Sequence, residues 1–284
     1  MPSTSPRLWI VATPLGNPGD LSPRAREILE GADLVLAEDT RRAAALFRRL
    51  GLAPRRFLSF YEQNEEERRE EALAALRGGA HVALISDAGT PLLADPGYRL
   101  VRACRHEGLP VSPVPGPSAP VAALSAAGLP PLPFTFLGFL PRDVAGRRAL
   151  FRAYAAVPGS LIFFERRDRL GQSLALAAGI LGPRELAVCR ELTKTHEEFL
   201  LGRLERAEEL PGELLGEITV ILGPPEGDAA RASREEAERC LRACLAQGSR
   251  PREAAREARA RLPGWSVKEL YALIPGLAPQ AQSD

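Results

Sequence analysis

Val82-Ala-Leu-Ile-Ser-Asp-Ala-Gly-Thr-Pro91 joins a short apolar run to a turn of small and polar residues. The run, residues 82–86, has the length of a strand and no polar alternation until its end, as expected where both faces of a sheet are covered. Comparable runs stand at residues 8–12, 34–37, 57–60 and 111–114. Helical spacing fills the gaps between them, at 23–30, 43–50, 65–76 and 98–107. Boundaries are marked as well: Ser22 precedes Pro23, while Gly31, Gly51 and the Gly78-Gly79 pair close helical patterns. Such alternation builds a mostly parallel sheet with helices on both faces.

A proline-rich stretch, Gly128-Leu-Pro-Pro-Leu-Pro133, reads as a linker. A second alternating set follows, with strands expected at 134–139, 161–165, 186–190 and 217–222 and helices at 147–157 and 169–181. After a further linker, Gly223-Pro-Pro-Glu-Gly227, only helical patterns remain, at 233–246, 251–261 and 266–273. The last two, joined at Pro263-Gly264, resemble a helix-turn-helix. The expected architecture is therefore α/β, with two αβα domains carrying mostly parallel or mixed sheets (residues 1–127 and 128–223) and a small helical tail (228–284).

The 284 residues, 45% of them hydrophobic, are enough to fill two cores. No apolar run approaches the roughly 20 residues that cross a bilayer, and residues 1–6 lack a basic stretch leading into an apolar one. Cys104, Cys189, Cys240 and Cys244 form no C-x-x-C pair, and the last two sit one helical turn apart, a poor spacing for a disulfide. Their pattern fits a reducing cytoplasm and no metal site. Net charge is only +1, but of 37 cationic residues just Lys194 and Lys268 are lysine. Where arginine is written almost everywhere, a retained lysine in a loop invites a functional reading, because only lysine can give up its proton when desolvated.

Ligands of an open α/β sheet bind beyond the carboxyl ends of its strands. Four loops there carry unusual chemistry. Thr13-Pro-Leu-Gly-Asn17 is neither a dinucleotide fingerprint nor a P-loop; an ordinary strand-to-helix turn is the bland alternative. Ser86-Asp-Ala-Gly-Thr-Pro91 offers small residues for close approach, with Asp87 and Thr90 for hydrogen bonds, where a capped turn would be the structural alternative. Pro115-Gly-Pro-Ser-Ala119 opens a helix for which Ser118 is an N-cap. Glu38-Asp-Thr-Arg41 sets two acids and an arginine at a strand end, though Asp39 can simply cap the next helix. In the second half, Arg190-Glu-Leu-Thr-Lys194 plays the same part, with His196, Glu197 and Glu198 close behind.

Read in order, Leu8-Trp-Ile-Val-Ala-Thr-Pro-Leu-Gly-Asn17, Ala37-Glu-Asp-Thr-Arg41, Ser86-Asp-Ala-Gly-Thr-Pro-Leu92, Asp95-Pro-Gly-Tyr98, Pro115-Gly-Pro-Ser-Ala119, Gly138-Phe-Leu-Pro141 and Glu191-Leu-Thr-Lys194 resemble the signature blocks of one family. It is the tetrapyrrole-methylase-type (class III) methyltransferases, and within it the branch acting on small-subunit ribosomal RNA. The resemblance spans residues 8–223. It implies two α/β domains, a homodimer, and S-adenosylmethionine held between the domains. The implied reaction is 2′-O-methylation of a cytidine ribose at the decoding centre of 16S ribosomal RNA. By match, Pro14, Leu15, Gly16, Asp87, Ala88, Gly89, Thr90, Ser118 and Ala119 surround the cofactor, while Leu140, Leu192 and the Glu217-Ile218-Thr219 strand entry close the cleft from the second domain.

This chain departs from the family twice. Tyr61 and Gln63 occupy the stretch around Glu62-Gln-Asn64, where the family has histidines. Arg166-Arg167-Asp168 replace the small residue, proline and histidine that ordinarily follow Phe164-Glu165. Candidates for drawing the proton from a hydroxyl are Lys194, Asp39 and Glu191. Phosphate contacts are expected from Arg41, Arg142, Arg147, Arg148, Arg166 and Arg167, with 16S ribosomal RNA or the assembled small subunit as partner and no membrane. Two rival readings are a methylase of a corrin precursor or other small molecule, and a non-catalytic RNA-binding module built on the helical tail. The arginine-rich second half weighs against the first, and the ligand-like loops weigh against the second.

Overall fold

The computed structural model describes residues 6–211, 214–226, 234–262 and 264–277. Its first sheet is built from β1 (Leu8–Val11), β2 (Leu34–Ala37), β3 (Phe57–Ser59), β4 (Val82–Ile85) and β5 (Val111–Val114). The helices between and after them are α1 (Pro23–Gly31), α2 (Thr40–Leu50), α3 (Glu65–Arg77), α4 (Tyr98–His106) and α5 (Ala119–Ala126). The strands lie in the order β3-β2-β4-β1-β5, all parallel, so five carboxyl ends face the same way.

Successive strand residues feed opposite cores, which explains the unbroken apolar runs. Val35, Ala83 and Ile85 join Ala25, Ile28 and Leu29 of α1 and Phe47 of α2 on one face. Leu34, Leu36, Val82 and Leu84 meet Leu73 and Leu76 of α3 and Leu100 of α4 on the other. Helix starts follow the residues at hand: Ser22 Oγ accepts the Ala25 N–H at 3.1 Å to cap α1, and Asp39 caps α2 by accepting the N–H of Arg41 and of Arg42.

The second sheet contains β6 (Phe134–Phe139), β7 (Ser160–Glu165), β8 (Glu185–Arg190), β9 (Glu198–Arg203) and β10 (Ile218–Leu222), in the order β6-β7-β10-β8-β9. Here only β6 and β7 are parallel, and the remaining pairs are antiparallel. Helices α6 (Val144–Tyr154) and α7 (Leu170–Leu181) cover one face. The other face receives α5 of the first half, whose Ala123 and Leu124 pack on Ile162, Ala187 and Ile221. This contact brings the two sets of loops together.

β9 is a strand that the sequence pattern does not reveal. Glu198-Phe-Leu-Leu-Gly-Arg203 is an edge strand, half-exposed and without clean alternation, so it carries no period-2 signal. α2 and α6 each begin three residues before the helical patterns at 43–50 and 147–157, because Asp39 and Asp143 supply the caps. The tail forms α8 (Arg234–Ala246), α9 (Pro251–Arg261) and α10 (Val267–Leu273) around Ala237, Leu241, Ala255, Ala258 and Leu270. Residues 1–5, the helix start expected at Ser233, and Gly227 and Pro263 of the expected linker and turn lie outside the described residues. All four cysteines are unpaired, and among the described residues no helix is long and apolar enough to cross a membrane.

Candidate active site

A cavity of about 420 Å³ opens where the carboxyl ends of β1, β2, β4 and β5 face the second sheet. The loop after β4 forms its floor and is laced to both neighbours. Gly89 and Thr13 exchange backbone hydrogen bonds of 3.0 and 2.9 Å, and Thr90 Oγ1 donates to the Pro117 carbonyl at 2.9 Å. Gly89 needs its missing side chain twice over: its φ is +79°, and a Cβ there would stand 3.1 Å from Leu15 Cδ2. The backbone is therefore presented close to whatever the cavity holds.

Nine of the residues expected around a cofactor line this cavity: Leu15, Asp87, Ala88, Gly89, Thr90, Ser118, Ala119, Ile218 and Thr219. Ser118 precedes α5 without a capping hydrogen bond from its side chain, so its hydroxyl is not spent on the helix. Four do not line it. Pro14 is buried. Leu140 is only 3% exposed, inside the core beneath β6 and β7. Leu192 packs beside Leu15 and Ala119 in the core between the sheets. Gly16 lies against the Lys194 side chain instead.

Glu38, from the polar strand end, and Glu217, at the entry to β10, line the wall too, together with four groups to which the sequence assigned no role: Asp95, Phe139, Phe164 and Glu165. Asp95 stands out chemically. Burial, then the Glu38 and Asp87 carboxylates, push its pKa up to about 6 against an opposing hydrogen bond from Ser86. Glu38 is also raised, by burial first and then by Asp87, with Arg42 opposing. Arg42 binds Asp87 Oδ2 at 2.6 Å and so offsets part of this negative charge. Leu92 and Ala94, both at φ 72°, hold the backbone leading to Asp95 in a left-handed conformation that non-glycine residues rarely adopt. The only sequence signal for Asp95 was its place in Asp95-Pro-Gly-Tyr98.

The three expected proton acceptors are all held as ions. Burial disfavours the Lys194 charge, but hydrogen bonds to Glu191 Oε1 at 2.9 Å and Glu217 Oε2 at 3.0 Å prevail and push its pKa up. The bond from Lys194 keeps Glu191 below the usual carboxylate range. Arg41 does the same to Asp39 through its side chain and its N–H. A protonated Lys194 cannot take a proton, and the two carboxylates are weakened as bases by their partners. Their geometry suits structural roles: Asp39 caps α2, and the Glu191–Lys194 segment straps the β8–β9 turn to the first sheet, with Thr193 Oγ1 accepting the Asn17 N–H at 3.2 Å.

Of the arginines expected to meet phosphate, Arg142, Arg148, Arg166 and Arg167 are exposed, and the Arg41 side chain is 90% exposed beside Asp39. Arg147 is not available. Its side chain is 2% exposed and donates to Ser173 Oγ and Gln172 Oε1, both at 2.7 Å. Ser173 and Arg169 in turn bind the fully buried Glu165 carboxylate. Spacing alone placed Arg147 with its neighbours, but α6 turns it inward. Among the described residues, no group of three His, Cys, Asp or Glu side chains has an arrangement that holds a metal ion.

Residues 7–208 match the model of the Tetrapyrrole (Corrin/Porphyrin) Methylases. The ribosomal RNA small subunit methyltransferase I of Mesorhizobium japonicum is 48% identical over 231 residues, covering 79% of this chain and 77% of that one. The protein of the same name from Escherichia coli O157:H7 is 41% identical over 270 residues, 93% of each chain. Among solved structures, uroporphyrin-III C-methyltransferase from Thermus thermophilus, complexed with S-adenyl homocysteine, superposes with a TM-score of 0.56 at 23% identity, over 76% of this chain and 97% of that one. The fold, the loops at the strand ends and these likenesses agree: the chain is a methyltransferase of the tetrapyrrole methylase family and belongs, within it, to the ribosomal RNA small subunit methyltransferase I group.

Proposed function

We propose that the chain methylates the 2′-hydroxyl of a cytidine ribose at the decoding centre of 16S ribosomal RNA, using S-adenosylmethionine. The observation that carries the reading is the cavity itself, where backbone-presenting loops meet the raised carboxyl of Asp95 and the exposed Arg166 stands on the wall. A nucleoside carrying an amino-acid arm fits this lining. Its volume of about 420 Å³ lies within the usual range for small-molecule sites, and the glycine cradle at Gly89 admits a ligand against the main chain. Bound there, S-adenosylmethionine supplies an electrophilic methyl group on a positive sulfur.

Each wall has a part in the chemistry. Leu15, Phe139, Phe164 and Ile218 exclude water, and the hydroxyls of Thr90 and Ser118 and the backbone of residues 87–90 supply hydrogen bonds. Asp87 and Glu38 complement a cationic ligand. Asp95 is ionised at neutral pH yet more basic than an ordinary aspartate, which suits it to accept the proton of a ribose hydroxyl. Arg41, Arg142, Arg148, Arg166 and Arg167 dock the phosphate backbone. Assembly as a homodimer, residence in the cytoplasm, the assembled small subunit as the partner, and division of the chain at residues 1–127, 128–223 and 228–284 belong to the same proposal. The two separate sheets and the separate core of the tail support that division.

Incubation with labelled S-adenosylmethionine and unmethylated small subunits tests this reading. Label should appear in 16S ribosomal RNA and make one cytidine resistant to alkaline cleavage. Label on a base, or on a tetrapyrrole alone, would refute it.

A further inference from the structure

A second hollow of about 420 Å³ adjoins the first, lined by Glu38, Asp39, Thr40, Arg41, Ser59, Tyr61 and Gln63. Glu38 is a wall of both. The relation follows from strand order. The first cavity occupies the ends of β5, β1, β4 and β2, and the hollow continues the row to β2 and β3. Phe60 N–H donates to the Ala37 carbonyl at 2.8 Å, which draws the chain after β3 alongside Glu38.

The segment after β3 is shaped for display. Asn64 stands at the N-cap position of α3 but makes no capping hydrogen bond with its side chain. That amide instead accepts the Tyr61 N–H at 2.8 Å and donates to the Ser59 carbonyl at 3.0 Å. The turn is closed from within, leaving Tyr61 38% exposed and Gln63 exposed at the hollow. An aromatic face, an amide, two hydroxyls, two carboxylates and a guanidinium therefore surround a space of about 420 Å³, which has ample room for a nucleobase.

We infer that this hollow receives the base of the acceptor nucleotide, stacked on Tyr61, and that it favours a base carrying an exocyclic amino group. The inference rests on the methylation reading above. A ribose hydroxyl reacting in the first cavity has its base one carbon away, and the shared Glu38 wall is where that base passes. Aromatic side chains stack unpaired bases irrespective of sequence. Choice among bases then comes from the edge contacts. Both Asp39 oxygens are taken by Arg41 and Arg42, which leaves Glu38 as the acceptor on the wall; an exocyclic amino group can donate to it, whereas the O4 carbonyl of uracil would face it unfavourably. Arg41, neutralised in place by Asp39, lies where the flanking phosphate would leave.

The test is binding of cytidine 5′-monophosphate to the full chain saturated with S-adenosylhomocysteine, read by ligand-observed NMR titration with uridine 5′-monophosphate as control. Tyr61→Ala should weaken cytidine 5′-monophosphate about tenfold or more, Tyr61→Phe about twofold at most, and Gln63→Ala several-fold. Unchanged affinity for S-adenosylhomocysteine reports that each variant is folded. The uridine nucleotide should bind several-fold more weakly to the wild type. Absence of nucleotide binding, indifference to Tyr61→Ala and Gln63→Ala, or equal affinity for both nucleotides would overturn the inference. Nucleotide binding here with methyl label appearing only in a small molecule would sink the ribosomal reading and leave the hollow standing.

Discussion

Gly16 lies directly beneath the side chain of Lys194: a Cβ at residue 16 would overlap Lys194 Cγ. The two residues belong to loops of different sheets, and Lys194 is further fixed by Glu191 and Glu217. Gly16→Ala should therefore push the strap off the first sheet, costing about 1–3 kcal/mol as overpacking does and weakening cofactor affinity. The clash is with a side chain, so Lys194→Ala in the same chain should recover much of the loss. Denaturation midpoints of the two single variants and the double variant give the coupling; strict additivity would refute the contact.

Lys194→Arg separates proton transfer from bridging. Arginine can span Glu191 and Glu217 but never deprotonates at working pH. Single-turnover methylation by Lys194→Arg should stay within a few-fold of wild type, while Lys194→Ala loses affinity for S-adenosylhomocysteine. Loss of turnover in Lys194→Arg with cofactor affinity intact would restore lysine as the base.

Asp95 should impose a pH profile. Its carboxyl is pushed up to about 6, so the single-turnover rate should rise through that pH and then level. Asp95→Asn should flatten the rise and lower the rate by about 10²–10⁴-fold. A rate that climbs through the same pH in the variant would assign the titration elsewhere.

The same shift makes a stability prediction of opposite flavour. A carboxyl whose folded pKa exceeds its unfolded one favours folding when protonated, and this advantage disappears as pH rises toward 6. Above that pH, Asp95 is an ionised, partly buried group facing Glu38 and Asp87. Asp95→Asn should then stabilise the protein by about 1–2 kcal/mol near pH 8, after discounting for solvent screening, and by almost nothing near pH 4. Thermal melts at the two pH values check both ends.

Arg147 and Arg148 should part company. Arg147→Ala deprives Ser173 Oγ and Gln172 Oε1 of their buried donor and should destabilise the fold by about 1–3 kcal/mol. Arg148→Ala and Arg167→Ala, at exposed positions, should leave melting within about 0.5 kcal/mol. Each should instead weaken binding to small subunits and reduce the salt slope by about 1.

The parallel sheet was legible because its strands are apolar on both faces and punctuated by caps such as Ser22 and Gly51. The loops at their ends were legible because small residues and prolines are rarely grouped so densely. What escaped was set by direction and neighbourhood. Nothing in the spacing of Arg147 and Arg148 says which one points inward. Lys194 drew attention through its rarity, but its charge is held against burial by Glu191 and by Glu217, a residue 23 positions away. Asp95 gains its character from burial first and then from Glu38, which only the sheet brings near, and Asp87. Edge strand β9 lacked periodicity because Phe199 and Leu200 pack on the cores of opposite faces while Leu201 is exposed.

β3 closes one margin of the first sheet, bound to β2 alone, whereas the loops that cradle the first cavity hang from interior strands and from β5. An insertion or exchange in residues 59–64 disturbs one hydrogen-bonded seam; an equal change after β4 disturbs two. Descendants of such a fold are thus free to diversify at the margin while inheriting the centre intact. For an engineer seeking a different recipient of the methyl group, the margin is where a library belongs.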